Sequence, residues 1–340
     1  MDAMNRRDSE PGKGHGMKAM TMSSLAVWPI LVAWLFDVGW LLSPLASRLG
    51  GRWQALVWIP DWVWLALVGF CSTLALCILA MSRRATSWSL VLAAALAVVG
   101  PLWGTLHRDL RFPARSAQGD ATVLFLNSQD PGSRVVGSVV EQLVAMDSEI
   151  AVIVNPGWIP LTWRAVEKAA PTGRFFRRSG NFFVASRTAI RSMRRIVAKG
   201  ETQAMEVTFE STDNSSFPKR ILVVDLPSDL AVNRSESLRD LAAGIAVEFD
   251  AAVKARSPID LLVGDFNATP RTPELGLLIP GFHDVFTKVG RGWGGTWPRE
   301  RGWLRIDFAF APLDRMPTSL ETFDPGDGGH RGLVVGYRRP

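Results

Sequence analysis

Three long apolar runs with few charged residues fill the first third of the chain, and shorter apolar segments separated by polar gaps follow them. The runs cover residues 25–46, 57–81 and 88–106. Each is close to the roughly 20 residues that a helix needs to cross the hydrocarbon core of a bilayer. The pattern predicts three transmembrane helices, joined by short turns at residues 47–52 and 82–87.

Tryptophan supports this interpretation, because the chain has 14 Trp and one Tyr, and the Trp residues crowd the first third. Trp53, Trp58, Trp62 and Trp64 gather at one end of the second run, where an interfacial aromatic belt would lie. Two alternatives stay open, namely buried helices of a soluble bundle and a cleavable signal peptide for the first run. Three consecutive runs with so few charges disfavour the bundle, and the two later spans disfavour the signal peptide.

Basic residues around the first span favour a cytoplasmic N-terminus, because four Lys or Arg residues lie in the polar tail of residues 1–24. With three spans, the C-terminal region then lies outside the cytoplasm, as in an integral protein of a bacterial inner (plasma) membrane. The formal charge of +6 does not indicate nucleic-acid binding by itself. Cys71 and Cys77 do not share a face of the predicted helix, so no disulfide is expected.

After a polar linker at residues 107–118, the region 119–340 contains many short β-favouring segments and few helical patterns. Strands are predicted at residues 122–127, 150–154, 181–186, 206–210, 220–225, 261–264, 304–310 and 332–337, and helices at 137–146 and 235–255. Many strands with few helices predict an α/β domain in which two sheets pack as a sandwich flanked by helices.

The strand at residues 261–264 ends in Gly264-Asp265-Phe266-Asn267, the strongest chemical signal in the chain. Asp265 and Asn267 alternate along the strand end and therefore share a face. A carboxylate and an amide on one face suit a metal-bound water and a phosphate oxygen. Alternatively, the two residues only cap a turn, which both residue types favour.

Four further segments stand in a distinctive order with this one. Asn127 ends the first strand, a Gly-Gly-Thr-Trp-Pro segment occupies residues 294–298, Asp307 lies in a late strand, and His330 precedes the last strand. In this order and spacing the set resembles the endonuclease/exonuclease/phosphatase superfamily, which has the deoxyribonuclease-like fold. The resemblance covers about residues 119–340.

The resemblance implies a two-sheet α/β sandwich with a phosphoesterase site at one rim and a divalent cation, Mg²⁺ or Mn²⁺. Asp265 would bind the metal and orient or deprotonate the attacking water. Asn127 would bind phosphate or the metal, and Asn267 would contact a phosphate oxygen. His330 would act on the phosphate as an acid or electrophile, and Asp307 would orient its ring.

The chain departs from the family pattern at two carboxylates. Asn155 stands where the family usually has a metal-binding Glu, and Gly329 stands where an Asp usually precedes the histidine. Both changes are expected to weaken metal binding, because Mg²⁺ prefers carboxylate oxygens. Asp225 and Asp327 are the candidate replacements.

The sequence therefore predicts a membrane-anchored, metal-dependent phosphoester hydrolase, similar to a phosphodiesterase or nuclease. Its substrate would be a phosphodiester, in nucleic acid or in a phospholipid headgroup. The alternative is a catalytically impaired relative that binds a phosphorylated ligand or partner at the membrane. An arginine-rich stretch at residues 174–195 would meet nucleic-acid or headgroup phosphates, or is a solvated face.

Overall fold

The structure is a computed structural model. It describes residues 22–49, 51–81, 88–112, 121–129, 148–156, 173–200, 202–210, 217–229, 231–254, 258–326 and 328–338. The predicted helix at 137–146 and the candidate carboxylate Asp327 lie outside these residues.

Three helices in the N-terminal region are long and apolar enough to span a membrane. They are α1 Met22–Leu49, α3 Asp61–Met81 and α4 Trp88–Gly104, and the last continues as a π-helical turn to Asp109. A short helix α2, Ala55–Trp58, precedes α3. The second apolar run is thus two helices rather than one, because a residue before proline disfavours the helical conformation and Ile59, before Pro60, is extended.

Small side chains allow these helices to pack closely together. Ala33, Val68 and Ala97 are fully buried where the three helices meet. Large apolar side chains such as Leu35 and Phe70 point outward and are exposed. A helix bundle with small residues inside and large apolar residues outside is the pattern expected of a membrane bundle.

The C-terminal region is a sandwich of two six-stranded mixed sheets. One sheet contains β2 Ala121–Asn127, β3 Ile150–Val154, β4 Phe175–Ser179, β5 Phe182–Ser186, β13 Ser319–Phe323 and β14 Gly332–Tyr337, in the order β13-β14-β2-β3-β5-β4. The other contains β6 Ile190–Lys199, β7 Thr202–Phe209, β8 Arg220–Asp225, β9 Leu261–Asp265, β10 Phe282–Asp284 and β12 Asp307–Pro312, in the order β10-β12-β9-β8-β7-β6. The sandwich predicted from the sequence is confirmed.

The core between the sheets consists of alternate residues from facing strands. Val123 and Phe125 of β2 pack in one cluster with Val223 of β8 and Val263 of β9. A second cluster on the outer face of the β8–β9 sheet holds helix α5, Arg234–Lys254, through Leu241 and other apolar residues. A short helix α6, Val285–Val289, follows β10.

The four edge strands of the two six-stranded sheets were not predicted from the sequence, namely β4, β6, β10 and β13. Of these, β4 and β6 are rich in arginine. Edge strands carry charge because one side stays in water, which removes the apolar alternation that identifies a strand. The predicted linker also has structure, since Leu110–Arg111 forms β1 and pairs with β11 Gly292–Trp293.

Candidate active site

Three neighbouring strands bring acidic residues to one end of the sandwich, which we call the rim. Asp265 ends β9, and it lies opposite Asp225 in the parallel pair with β8. It also lies opposite Asp307, the first residue of β12, in the antiparallel pair. Parallel strands end at the same edge of a sheet, so the fold places these carboxylates beside one another.

Gly264 allows this close approach of strands. A Cβ at this position would lie 2.2 Å from the carbonyl oxygen of Val224 on β8, so any larger residue would push the two strands apart. The glycine that marks the motif in the sequence thus fixes the spacing of the two acidic strand ends.

His330 joins this group from the segment before β14. Its Nδ1 lies 2.8 Å from Asp307 Oδ2, and its Nε2 lies 4.0 Å from Asp265 Oδ2. All three side chains are almost completely buried. Their ligand atoms lie within 4.8 Å of one another, so the trio forms a compact acid–histidine cluster.

Two asparagines hold Asp265 in place. Asn127 Nδ2 donates to Asp265 Oδ2 at 2.7 Å, and the Asn267 side-chain amide donates to the same oxygen at 2.9 Å. The Asn267 backbone N–H donates to Asp265 Oδ1 at 2.8 Å. Asn267 has a φ of +44°, a left-handed conformation that asparagine tolerates better than most residues. Its amide also donates to the Leu226 carbonyl, so the side chain has a fixed orientation.

Asn155, where the resemblance implies a Glu, joins the site through amide hydrogen bonds. Its Nδ2 lies 3.2 Å from Asn127 Oδ1 and 3.1 Å from Asp225 Oδ1. Asp225 therefore faces the same part of the rim, although it is not in the compact trio of Asp265, Asp307 and His330. The other candidate replacement, Asp327, is not described by the structure.

Gly329 stands against Gln129, which explains the second departure in steric terms. A Cβ on residue 329 would lie 2.2 Å from Gln129 Oε1, so a carboxylate there would require Gln129 to move. Gln129 is itself held at its backbone, where its N–H donates to Asn127 Oδ1 at 3.1 Å. The loop after β2 thus occupies the space that an Asp at 329 would use.

Burial and mutual repulsion raise the pKa values of acidic groups at the rim. Burial first, and then the nearby charge of Asp307, raises the pKa of Asp265 to about 8. Burial also raises the pKa of Asp225 to about 6, although the hydrogen bond from Asn155 opposes this. The positive charge of His330 opposes both shifts but does not outweigh burial.

His330 shows the opposite balance. Burial would lower the pKa of its imidazole, but the charge and hydrogen bond of Asp307 outweigh burial and raise this pKa to about 9. The ring is therefore an imidazolium at neutral pH, with one nitrogen held by Asp307 and the other directed toward Asp265.

A cavity of about 540 Å³ opens beside the cluster. The sequence-predicted residues Asn127, Asp265 and Asn267 line it. Other polar residues that line it were not predicted as site residues, namely Gln129, Arg178, Asn181, Gln203 and Ser228. Arg178 belongs to the arginine-rich stretch, and the others are isolated polar residues beside strand ends, which carry no sequence signal of their own.

The residues at the rim fit a divalent cation. Asp225 and Asp265 supply carboxylate oxygens on the wall of one cavity, and Asn127 and Asn155 supply amide groups beside them. When ionised, three carboxylates face one imidazolium, which leaves an excess of negative charge that a cation would neutralise. Asp307 Oδ1 is buried and has no hydrogen-bond partner among the described residues. Mg²⁺ and Mn²⁺ accept such oxygen-rich sites with few protein ligands.

Solved structures show where this fold occurs among known proteins. An endonuclease/exonuclease/phosphatase family protein from Bacteroides thetaiotaomicron matches with a TM-score of 0.52 at 12% identity, over 63% of this chain and 93% of the other. The humanized D. rerio TDP2 matches with a TM-score of 0.47 at 16% identity, over 63% and 97%. The human Nocturnin catalytic domain matches with a TM-score of 0.46 at 14% identity, over 65% and 94%.

No protein-family model and no curated protein matches the sequence. The comparison at a TM-score of 0.52 concerns the fold, because 12% identity is too low to transfer an activity. The two six-stranded mixed sheets agree with this fold assignment. The chain therefore has the α/β-sandwich fold of the endonuclease/exonuclease/phosphatase proteins, preceded by three helices long and apolar enough to span a membrane.

Proposed function

We propose that the protein is a membrane-anchored, divalent-metal-dependent phosphoester hydrolase. The observation that carries this proposal is the buried cluster of Asp265, Asp307 and His330, of which Asp265 lines a polar cavity. A purely structural cluster would balance its charges, whereas this one leaves negative charge uncompensated next to a space large enough for a small ligand.

His330 is the proposed acid or electrophile. Asp307 holds Nδ1 at 2.8 Å, which fixes the ring and keeps the imidazole protonated. The Nε2–H, which faces Asp265 at 4.0 Å, is the proposed donor to a phosphoester oxygen as negative charge develops there. A fixed, protonated donor costs little reorganisation at the transition state, and this is the basis of electrostatic catalysis.

Asp265 is the proposed group that orients and deprotonates the attacking water. Three hydrogen bonds from Asn127 and Asn267 fix its carboxylate, so the water it accepts would have a defined position. Burial raises the pKa of this carboxylate, which makes it a stronger base than an exposed aspartate. Asn127 and Asn267 also remain the proposed phosphate contacts.

The proposed cofactor is Mg²⁺ or Mn²⁺. Asp265, Asp225 and Asn127 would hold it, with Asn155 in place of the usual carboxylate. When bound, such an ion acts as a Lewis acid on the phosphoester and favours the deprotonated form of nearby water.

The test uses the full chain in lipid nanodiscs, because hydrogen bonds join the N-terminal helices to the rim. Hydrolysis of bis(p-nitrophenyl) phosphate would be followed with Mn²⁺ or Mg²⁺ and with a chelator. We expect His330→Ala to lower the rate by about 10²- to 10⁴-fold. The matched control is His283→Ala on β10, which should retain the wild-type rate. Equal rates in the wild type and His330→Ala would overturn the proposal.

A second candidate function is binding without turnover, favoured by Asn155 and Gly329 at positions where carboxylates are usual. In that case a phosphorylated ligand would bind the cavity, and the full chain would show no hydrolysis with either metal. Isothermal titration with inorganic phosphate would distinguish the two functions, since binding that survives a chelator without any hydrolysis supports the second.

A further inference from the structure

The rim of the sandwich is also the part that contacts the N-terminal helices. The loop after β9 carries Thr269 and Arg271, two and four residues beyond Asn267. Thr269 Oγ1 donates to the Val57 carbonyl at 2.6 Å. The Arg271 guanidinium pairs with Asp61 at 2.7 Å, at the start of α3. Two residues of chain span at most about 7 Å, so the helices contact the loop immediately beside the candidate site.

Arg271 also joins the end of α1. Its Nε donates to Ser43 Oγ at 3.0 Å, and its guanidinium donates to the Trp40 carbonyl and lies over the Trp40 ring. The Arg271 and Asp61 side chains are almost completely buried. An ion pair of this kind is a fixed connection, because breaking it would leave an unpaired buried charge.

Two further rim segments make similar contacts. After β8, Val232 accepts a hydrogen bond from Gln54 Nε2 at 3.0 Å, and the Arg234 backbone N–H donates to Gln54 Oε1 at 2.8 Å. Before β12, Trp303 packs against Trp62 with ring centroids 6.4 Å apart. Val232 is four residues beyond the cavity-lining Ser228, so at most about 14 Å of chain separates them.

The helix ends in these contacts belong to one face of the proposed membrane. Trp40 and Ser43 lie near the end of the span Ser24–Ala46, and Asp61 begins the span Asp61–Met81. Antiparallel spans bring the end of one and the start of the next to the same membrane face. The rim of the sandwich is therefore the side directed toward that face.

The segment between these helices has the character of an interfacial helix. Gln54 and Val57 are buried beneath the rim loops, whereas Trp53 and Leu56 point outward and are exposed. Tryptophan and leucine on the outward face of a short helix at the end of a span suit the headgroup region of a bilayer.

We infer that the cavity opens at the membrane surface and takes a phosphoester carried by a lipid of the same bilayer. This inference rests on the proposed function and names its substrate class. Headgroup phosphates lie at the depth of the interfacial segment, next to the loops that line the cavity. A long nucleic acid would need an open track on both sides of the reacting phosphate, and the helices occupy one side of this rim. Hydrolysis would add water across a P–O bond of the headgroup, giving a phosphate-bearing product and an alcohol.

The orientation can be measured independently of activity. In a chain whose Cys71 and Cys77 are replaced by alanine, Ser228→Cys or Asp314→Cys would carry a bimane label in nanodiscs. Asp314 is exposed beyond the far end of β12 and lies about 20 Å farther from the rim, since a strand rises about 3.3 Å per residue. A nitroxide on the lipid headgroup should quench the label at residue 228 at least about twofold more than the label at 314. Equal quenching, or stronger quenching at 314, would overturn the inference.

The substrate class is tested by where the lipid is placed. The full chain in phosphatidylcholine vesicles would receive labelled phosphatidylglycerol or phosphatidic acid, either in its own bilayer or in separate vesicles. We expect hydrolysis of at least one of them to be about tenfold faster in the same bilayer, because sharing a bilayer raises the effective concentration. Bis(p-nitrophenyl) phosphate and a single-stranded oligonucleotide would serve as soluble substrates. If either is hydrolysed but neither lipid is, the lipid inference fails and the proposed function stands. If nothing is hydrolysed, the proposed function fails.

Discussion

Two groups of charged side chains in the sandwich differ in the balance of their positive and negative charges. On the sheet that carries α5, Arg194 and Arg220 pair with Glu206 and Glu248, two cations with two anions. At the rim, Asp225, Asp265 and Asp307 lie close to His330, the cation that most affects their charge among the residues that the structure describes. The first group is complete within the protein. The second is incomplete and lies beside a cavity, which marks it as the place where a cation and a phosphorylated ligand would bind.

The pKa shifts follow the same difference. In the balanced group, hydrogen bonds from Arg194 lower the pKa of Glu248, so the carboxylate stays ionised. At the rim, burial raises the pKa of Asp265 to about 8. In the balanced group, arginine residues stabilise the ionised carboxylates. At the rim, burial outweighs the positive charge of His330 and destabilises the ionised form of Asp265. Charged side chains thus contribute to stability in one group and are proposed to carry out chemistry in the other.

The largest expected effect concerns Asp307. Asp307→Asn should lower the hydrolysis rate by about 10²- to 10⁴-fold, because the His330 ring loses the carboxylate that keeps it protonated and oriented. The pKa of His330 should fall at the same time. The alkaline limb of the pH–rate profile should therefore move to lower pH, an effect that a merely structural role would not produce. An unchanged profile would contradict the assignment.

Breaking the balanced group should affect stability and leave the chemistry intact. Arg220→Met leaves Arg194 to serve both Glu206 and Glu248, and is expected to cost about 1–3 kcal/mol because one buried carboxylate oxygen loses its donor. Thermal unfolding in nanodiscs would measure the loss. The rate per folded molecule should stay close to that of the wild type. The double variant with Glu206→Leu should recover part of the stability, and a loss of activity in folded Arg220→Met would weaken the comparison.

The pH dependence of stability should report the rim in the presence of a chelator. Asp265 has a folded-state pKa of about 8 against an ordinary 3.8, so the folded protein keeps a proton that the unfolded chain releases. The contribution of Asp265 to the free energy of unfolding therefore decreases as the pH rises from about 4 to 8. The contribution of His330 is fully present below about pH 6.5 and is lost as the pH rises through about 9.

Between about pH 6.5 and 8, the stabilising contributions of Asp265 and His330 both decrease as the pH rises. The free energy of unfolding should therefore fall over this window. Chemical denaturation at a series of pH values would measure it. Asp265→Asn should flatten the slope. A free energy of unfolding that rises over the same window would contradict the shifts.

A smaller effect is expected from restoring the missing carboxylate. Asn155→Glu should tighten Mn²⁺ binding about 10- to 100-fold, the range over which single partners of a metal site act. Without metal the variant should be less stable than the wild type, because it adds negative charge beside Asp225. Titration with Mn²⁺ by electron paramagnetic resonance would measure the affinity. Asn181→Gln, at the edge of the same cavity, is the matched control and should not tighten binding.

The sequence predicts the strands and the polar residues at their ends well, because local signals identify them. The β9 strand is a run of Leu and Val that stops at Gly264-Asp265, and the sandwich follows from the repeated pattern of such strands. The arginine-rich edge strands β4 and β6 were missed because neighbouring strands supply their pairing. Propensity alone does not identify such strands.

Long-range polar contacts were beyond prediction from the sequence. Asn155 and Asp225 are 70 positions apart, and Asp61 and Arg271 are 210 apart. The sequence singles out Asn155 and Asp225 one by one but not their contact, and it gives no signal for Asp61 or Arg271. Their roles arise only when the fold places the ends of distant elements together at the rim.

The most direct test of the central claim replaces one carboxylate by an amide in each charged group. Asp265→Asn at the rim and Glu248→Gln in the balanced group would be compared with the wild type for Mn²⁺-dependent hydrolysis by the full chain in nanodiscs. The account predicts that Asp265→Asn loses hydrolysis and saturable Mn²⁺ dependence, while Glu248→Gln keeps both at reduced stability. Hydrolysis that survives in Asp265→Asn, or that is lost equally in the two folded variants, would contradict it.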